Sequence, residues 1–437
     1  MSQHEAAEAA VGRAAPYPAG ARPQASPPAK PAAPGALPPP ESVWRRMRLW
    51  GIAHAVDDLY QGLVPASVPY FVLDRGYSYV AASGLTLAAT LGSAIPQPFL
   101  GVAVDRMRVG WMAAAGVAVA GLGLGLSGLV QPYVAVWTLI LLSGLGVAMF
   151  HPAAGKAARE EAGDSTAAMS VFAAGGSVGF FLAPVLATPA LVAWGVGATA
   201  LFIPPAVLVA YVLYRNRHRQ RVLAAAADTA RTGDDQWTPF FVLTGIEVVR
   251  SVVFSGIATF IELYWIRHLG ASHALGGTAL AFFLGGGVLG TLAGGRIADR
   301  IGLVRTVRLG GVIVIPMLVA LRLLPGAYPP LLFAAGTGFA LNIPFAVLVK
   351  LGQDYLPTRP GTAAGVTLGL AVSIGGLISP VFGLAADAHG PQSVFAIMCF
   401  VPAAALVLGC FLREPRREPR DEPRDRLRDE PRPAPDR

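Results

Sequence analysis

The sequence predicts an all-α membrane protein: twelve transmembrane helices arranged as two homologous six-helix bundles. Three observations carry that expectation. Of the 437 residues, 54% are hydrophobic and only 14% are charged, against roughly a quarter charged in a soluble domain. Between Leu49 and Leu412, apolar runs of about 20 to 25 residues follow one another, each near the length that about 30 Å of hydrocarbon requires at about 1.5 Å rise per helical residue. Two polar signatures of the first half recur in the second half at nearly one offset.

The expected spans are 49–73, 79–104, 111–130, 133–158, 165–188, 190–214, 239–267, 273–298, 304–323, 328–350, 361–386 and 391–412. An even number of spans puts both tails on one side. Thirty of the 34 lysines and arginines fall in the tails, in the loops of that side or in the span ends that adjoin those loops. Only Arg75, Arg267 and Arg322 fall on the other side, and Arg250 lies inside a span. The asymmetry predicts cytoplasmic termini. It also accounts for the net charge of +8 without a nucleic-acid partner.

Residues 1–48 read as a cytoplasmic tail: the first 43 hold ten prolines and no apolar h-region, so the first span itself is expected to direct insertion. Residues 49–214 and 239–412 are the two bundles. Residues 215–238 are the interdomain loop, with Arg215, Arg217, Arg219 and Arg221 followed by Asp228, Arg231, Asp234 and Asp235. Residues 413–437 repeat Glu-Pro-Arg and carry nine arginines against eight acidic residues. Such a segment is expected to be disordered and solvated, with weak association to anionic lipid as the alternative. Cys399 and Cys410 are too few for a disulfide framework or a cysteine-based metal site, and on one helix they would stand about 16 Å apart. No metal or cofactor is expected.

The duplication rests on two echoes. Gly101-x-x-x-Asp105-Arg106 ends span 2, and Gly295-x-x-x-Asp299-Arg300 ends span 8, 194 residues later. Gly179-x-x-x-x-Pro184 in span 5 recurs as Gly375-x-x-x-x-Pro380 in span 11, 196 residues later. Parallel repeats of this kind build certain transporters. The glycine admits a close neighbour, the aspartate can sit against a positive helix N-terminus, and the arginine can pair across the cytoplasmic face. Either a conformational latch or a static cap uses those properties. Twelve spans, two halves and this duplicated loop together resemble the major facilitator superfamily. The first copy departs from the pattern in having Arg108 where the second has Gly302.

Span 1 carries His54, Asp57, Asp58 and Gln61, which share one arc of about 100° on a helix. Asp58 lies about 14 Å into the bilayer, where an ionised carboxylate costs at least about 2.5 kcal/mol and normally faces a cavity or a partner. Such a group is suited to taking up and releasing a proton; helix–helix hydrogen bonding is the structural alternative. His151 in span 4, between Phe150 and Pro152, lies at similar depth. In span 7, Glu247 and Arg250 stand three apart and can pair on one face. Arg250 then serves either in substrate binding or gating, toward an anionic group, or in an internal ion pair. Asn342, two residues before Pro344 in span 10, is a weaker candidate of the same kind. Glu262 is expected near the external end.

Four segments together resemble the fosmidomycin-resistance group of facilitator transporters: His54-x-x-Asp57-Asp58-x-x-Gln61, Gln97-Pro98-x-x-Gly101-x-x-x-Asp105, Phe150-His151-Pro152 and Ser170-x-Phe172-x-x-Gly175-Gly176-x-x-Gly179-x-x-x-x-Pro184. The likeness continues through Leu351–Pro357 and Gly365–Leu370. In the antibiotic-exporting member, Asn stands where this chain has Asp57. The resemblance implies an inner-membrane drug:proton antiporter with a cavity lined by spans 1, 4, 7 and 10. Those are the spans that hold His54, Asp57, Asp58, His151, Arg250 and Asn342.

The expected function is therefore alternating access, with protonation of Asp58 or Asp57 competing with substrate and His54 relaying the proton. His151, Arg250, Gln61, Asn342 and Glu247 would bind a small molecule, plausibly a phosphonate or another anion. A proton-linked importer of an organic anion is the nearest alternative. A membrane enzyme or sensor is the alternative of another class, and the internal duplication counts against an enzyme. No Gly-x-x-x-x-Gly-Lys-Ser/Thr loop occurs, so ATP is not the expected energy source.

Overall fold

The computed structural model describes residues 43–77, 79–107, 109–230 and 233–415. Residues 1–42 and 416–437, which make up most of both tails, lie outside the described residues, as do Arg108 and Arg231.

Among the described residues, sixteen α-helices build twelve spans. In the first half, α1 (Val43–Arg75) is followed by α2 (Tyr79–Ala94) and α3 (Gln97–Met107), which together make span 2. Next come α4 (Met112–Ser127), α5 (Tyr133–Ala162), α6 (Thr166–Trp194) and α7 (Ile203–Ala230). The second half begins with α8 (Trp237–Leu263), α9 (His273–Ile301) and α10 (Leu303–Leu323). Span 10 is α11 (Pro329–Asn342) with α12 (Phe345–Tyr355). Span 11 is α13 (Pro360–Ala364) with α14 (Ala371–His389), and span 12 is α15 (Gln392–Met398) with α16 (Val401–Phe411). Among the described residues, nine helical stretches are long and apolar enough to cross a membrane, and one of them, Thr166–Gln220, holds two spans.

The breaks within spans 2, 10 and 12 fall beside prolines. Pro96, Pro344 and Pro402 each lack the N–H that would bond four residues back, so the helix yields there. In span 12 the break falls on Cys399 and Phe400, so the two cysteines do not share one continuous helix as the sequence suggests. Span 11 keeps its course through a wider π turn at Gly365–Leu370.

Span 6 also departs from expectation. Gly195 takes a left-handed φ of 60° and a 3-10 stretch, Gly195–Phe202, precedes α7. Helix α7 then runs on to Ala230 through much of the segment expected to be an interdomain loop. The residues there, from Arg215 through Ala224–Ala227, are arginine, glutamine, leucine and alanine in the main, all strong helix formers.

Each half has its own core. Trp50, Tyr60, Phe71, Phe150 and Phe172 pack the first half, while Tyr264, Trp265, Phe283 and Phe395 pack the second. Helix α1 lies along α6, α4 along α5, α9 along α11 and α8 along α14. Between the halves α6 meets α9, and α3 and α5 meet α13. These last contacts bring the two duplicated loops against the opposite half.

Candidate functional site

The first polar cluster joins α1 to α5 and α6. His54, Asp57 and His151 are almost fully buried, and Asp58 keeps 15% of its side chain exposed. His54 Nδ1 stands 2.8 Å from the carbonyl oxygen of Phe172, and His151 Nδ1 stands 3.0 Å from that of Val147. A carbonyl only accepts, so both Nδ1 atoms carry hydrogen and each ring turns its Nε2 toward the other, 3.3 Å away. The Asp58 carboxylate straddles the pair: Oδ2 is 3.4 Å from His54 Nε2 and Oδ1 is 3.2 Å from His151 Nε2. Asp57 Oδ2 lies behind the second ring, 3.7 Å from His151 Nδ1, and neither Asp57 oxygen accepts a hydrogen bond among the described residues. Phe172 stacks on the His54 ring at 4.3 Å between centroids and fixes its plane.

The helix period explains why Asp57 and Asp58 reach different sides of one imidazole: successive residues point 100° apart. Close approach of α6 depends on Gly176, where any side chain would run into Asp58 and His54. Gln61, a turn beyond Asp58, is half-buried and makes no hydrogen bond among the described residues.

The second cluster lies in the other half. Arg250 donates through Nη2 to Glu247 Oε1 at 2.6 Å and through Nε to Oε2 at 2.9 Å, a fork-to-fork pair within one turn of α8. Its Nη1 donates to Asn342 Oδ1 at 3.4 Å, and Asn342 donates to the Gly338 carbonyl at 2.9 Å. The guanidinium carbon stands 4.5 Å from the Phe345 ring centre. Asn342 can reach Arg250 because α11 ends at that residue, just before Pro344. Beside Arg250 an apolar cleft lined by Val249, Val253, Val314 and Leu341 opens between α8, α10 and α11. Glu262 is exposed.

The duplicated loops make reciprocal contacts. Asp105 of α3 accepts from the backbone N–H of Gly361 at 2.8 Å and of Thr362 at 2.7 Å, and from the Thr362 hydroxyl at 2.8 Å, at the start of α13. Asp299 of α9 accepts from the N–H of Thr166 at 2.8 Å and of Ala167 at 3.0 Å, at the start of α6. Each aspartate therefore caps a helix of the opposite half, where free N–H groups and the dipole favour an anion. The glycines set the approach: a Cβ at Gly101 would lie 2.6 Å from the Gly361 oxygen, and one at Gly295 2.7 Å from the Thr166 oxygen.

Arg106 and Arg300 are exposed, and neither makes an ion pair among the described residues. Bridging between halves falls to other residues: Arg159 Nη2 pairs with Asp354 Oδ1 at 2.6 Å and Gln353 Nε2 donates to the Gly155 carbonyl at 3.0 Å. Within a half, Lys350 Nζ donates to Asp354 Oδ2 at 2.6 Å along α12, and Lys156 lies 3.8 Å from Asp105. Their only sequence signal was the segment Leu351–Pro357, which marks a resemblance and not a role.

Asp299→Ala is expected to weaken this closed face by about 0.5–2 kcal/mol, the usual cost of losing a helix cap. Spin labels placed on the two halves at this face should show the wider-spaced population rising roughly 2- to 30-fold. An unchanged distance distribution in both Asp299→Ala and Asp105→Ala would reduce the pair to static caps.

Comparison with known proteins agrees with this architecture. The chain is 27% identical over 378 residues to the fosmidomycin resistance protein of Escherichia coli (strain K12), covering 84% of this chain and 92% of that one. It is 27% identical over 388 residues to the uncharacterized MFS-type transporter YfnC of Bacillus subtilis (strain 168), covering 84% and 93%. Among solved structures, the Escherichia coli fucose:proton symporter FucP superposes with a TM-score of 0.66 at 13% identity, over 85% of this chain and 100% of that one. The human organic anion transporter MFSD10 gives 0.63 at 15% identity with the same coverage. At such identities the structural likeness speaks for the fold. The family model described as Major Facilitator Superfamily matches residues 51–380. With most of its length so matched, the chain belongs to the major facilitator superfamily and is a multi-pass membrane transporter, not an enzyme.

Proposed function

We propose that the protein is a proton-coupled antiporter of the inner membrane that exports a small organic anion or drug by alternating access. The observation that carries this reading is the division of charge between the halves. The buried Asp57, the largely buried Asp58 and two imidazoles gather on α1 and α5, and a buried Glu247–Arg250–Asn342 group gathers on α8 and α11. Ionisable groups inside a membrane bundle mark ion and substrate pathways. The first cluster takes the proton, on Asp58 or Asp57 with His54 and His151 as relays. The second takes the substrate, with Arg250 facing its anionic group and Glu247, Asn342 and Gln61 shaping the pocket. The similarity to a protein named for fosmidomycin resistance favours a phosphonate or a similar small anion as cargo.

In this reading both termini are cytoplasmic, bundles 49–214 and 239–412 rock about a central site, and the segment 215–238 links them. The Asp105 and Asp299 caps, with Arg159–Asp354, close the cytoplasmic face of the outward-facing state and part when the protein turns inward.

The test is substrate-induced proton movement in inside-out vesicles energised acid inside. Adding fosmidomycin or a member of a small panel of anions should release protons from the lumen. Proton uptake with the substrate would instead show symport, and no response to any compound from inserted, folded protein would overturn proton coupling for that panel.

A further inference from the structure

The two Nε2 atoms of His54 and His151 and the Asp58 carboxylate form a ring of groups that all accept and do not donate. Their partners fix this: the Phe172 and Val147 carbonyls hold hydrogen on both Nδ1 atoms, which leaves a lone pair on each Nε2 of the neutral rings. Two lone pairs at 3.3 Å, with carboxylate oxygens at 3.2 and 3.4 Å, repel one another unless a cation lies between them. Asp58 Oδ1 accepts no hydrogen bond despite its nearness to His151, and both oxygens of the fully buried Asp57 are equally unpartnered among the described residues. The cluster thus holds two carboxylates with no lysine or arginine paired to them among the described residues.

We propose that His54, Asp58 and His151 bind a divalent transition-metal cation of the Zn²⁺ class. Ligand atoms on a tetrahedral zinc at about 2.0–2.1 Å stand about 3.3 Å from one another; the two Nε2 atoms are 3.3 Å apart, and with one Asp58 oxygen as the third donor all three atoms lie within 4.8 Å of one another, so a small turn of the carboxylate would complete the triangle. The ligand set, two imidazoles and a carboxylate with a fourth position free, is a familiar one for zinc. The outer shell matches as well. Each ligating ring gives its other N–H to a backbone carbonyl, as the second partner of a ligating histidine commonly does, and the Asp57 carboxylate lies 3.7 Å from His151 Nδ1 without a hydrogen bond to it. Asp58, the one partly exposed member, is the point of entry. The three donors lie within 4.8 Å of one another without rearrangement of the helices.

The inference stands on this geometry and not on antiport, so binding is read without transport. Tag-free, full-length protein in detergent, stripped with chelator, would be titrated with Co²⁺ as a spectroscopic stand-in. The expected result is a visible absorption band of tetrahedral intensity that saturates at one ion per chain and is abolished by Zn²⁺. Asp58→Asn, close in size to the native residue, should remove the band. Asp57→Asn, which leaves all three ligands in place, should keep the band. A control carrying His218→Gln and His389→Gln should keep the band, which separates the site from other histidines. If the wild type gives only a weak octahedral spectrum, or if Asp58→Asn leaves the band intact while eluting as folded protein, the proposal is wrong and the cluster is a site for protons alone.

Discussion

Asp58→Asn is expected to cut substrate-induced proton release in inside-out vesicles at least about tenfold, equivalent to about 1.4 kcal/mol in the coupled step. The substitution preserves size and removes the negative charge from the one carboxylate that touches both imidazoles, at 3.2 and 3.4 Å. An amide there can also donate to one ring nitrogen, which would satisfy that lone pair with no mobile proton. Substrate exchange in the absence of a proton gradient should survive, because it needs alternating access and a binding site but no net proton. That split between exchange and coupled flux distinguishes a coupling residue from a merely structural one. Full proton-coupled transport by Asp58→Asn would remove the assignment, and Asp57→Asn would then be the next variant, since that carboxylate is buried without a hydrogen bond.

The helical period was enough to put His54, Asp57 and Asp58 on one face, and the duplicated glycine–aspartate pattern was enough to expect each aspartate at a helix start. Neither could show what lay across from them. His151 is 97 residues from His54 in the chain, and depth in the bilayer, the only link the sequence offers, does not say which way a ring turns. The structure moves His151 from an isolated candidate into direct contact with Asp58. The cross-half bridge from Arg159 to Asp354 spans 195 residues and belongs to no repeated pattern, so nothing local announces it. Helix α7 runs on into the polar segment for a different reason: a run of arginine, glutamine and alanine is polar and helix-forming at once, so polarity alone does not mark where the helix ends. A place beside the aspartates does not say what Arg106 and Arg300 meet, because adjacent residues on a helix point about 100° apart.

Glu247→Ala is expected to destabilise the protein by about 3–5 kcal/mol, since it leaves the buried Arg250 guanidinium without its anion. Asn342 offers only one longer contact, at 3.4 Å, and Phe345 only the face of its ring. Glu247→Gln, which keeps one acceptor oxygen, should fall at the lower end. Replacing both residues, as in Glu247→Gln with Arg250→Gln, should recover most of the loss because no buried charge remains. Thermal unfolding in detergent measures all three. The comparison also bears on the substrate. Three of the five N–H donors of an arginine are engaged here, two by Glu247 and one by Asn342. An anionic substrate must therefore use the two that remain or displace Glu247. If Arg250 is the anion's ligand, the double variant will be as stable as the native protein yet lose substrate affinity. If the pair only braces α8, the double variant will transport normally. Stability and affinity move together only if Glu247 and Arg250 serve both ends, and the paired substitution separates them.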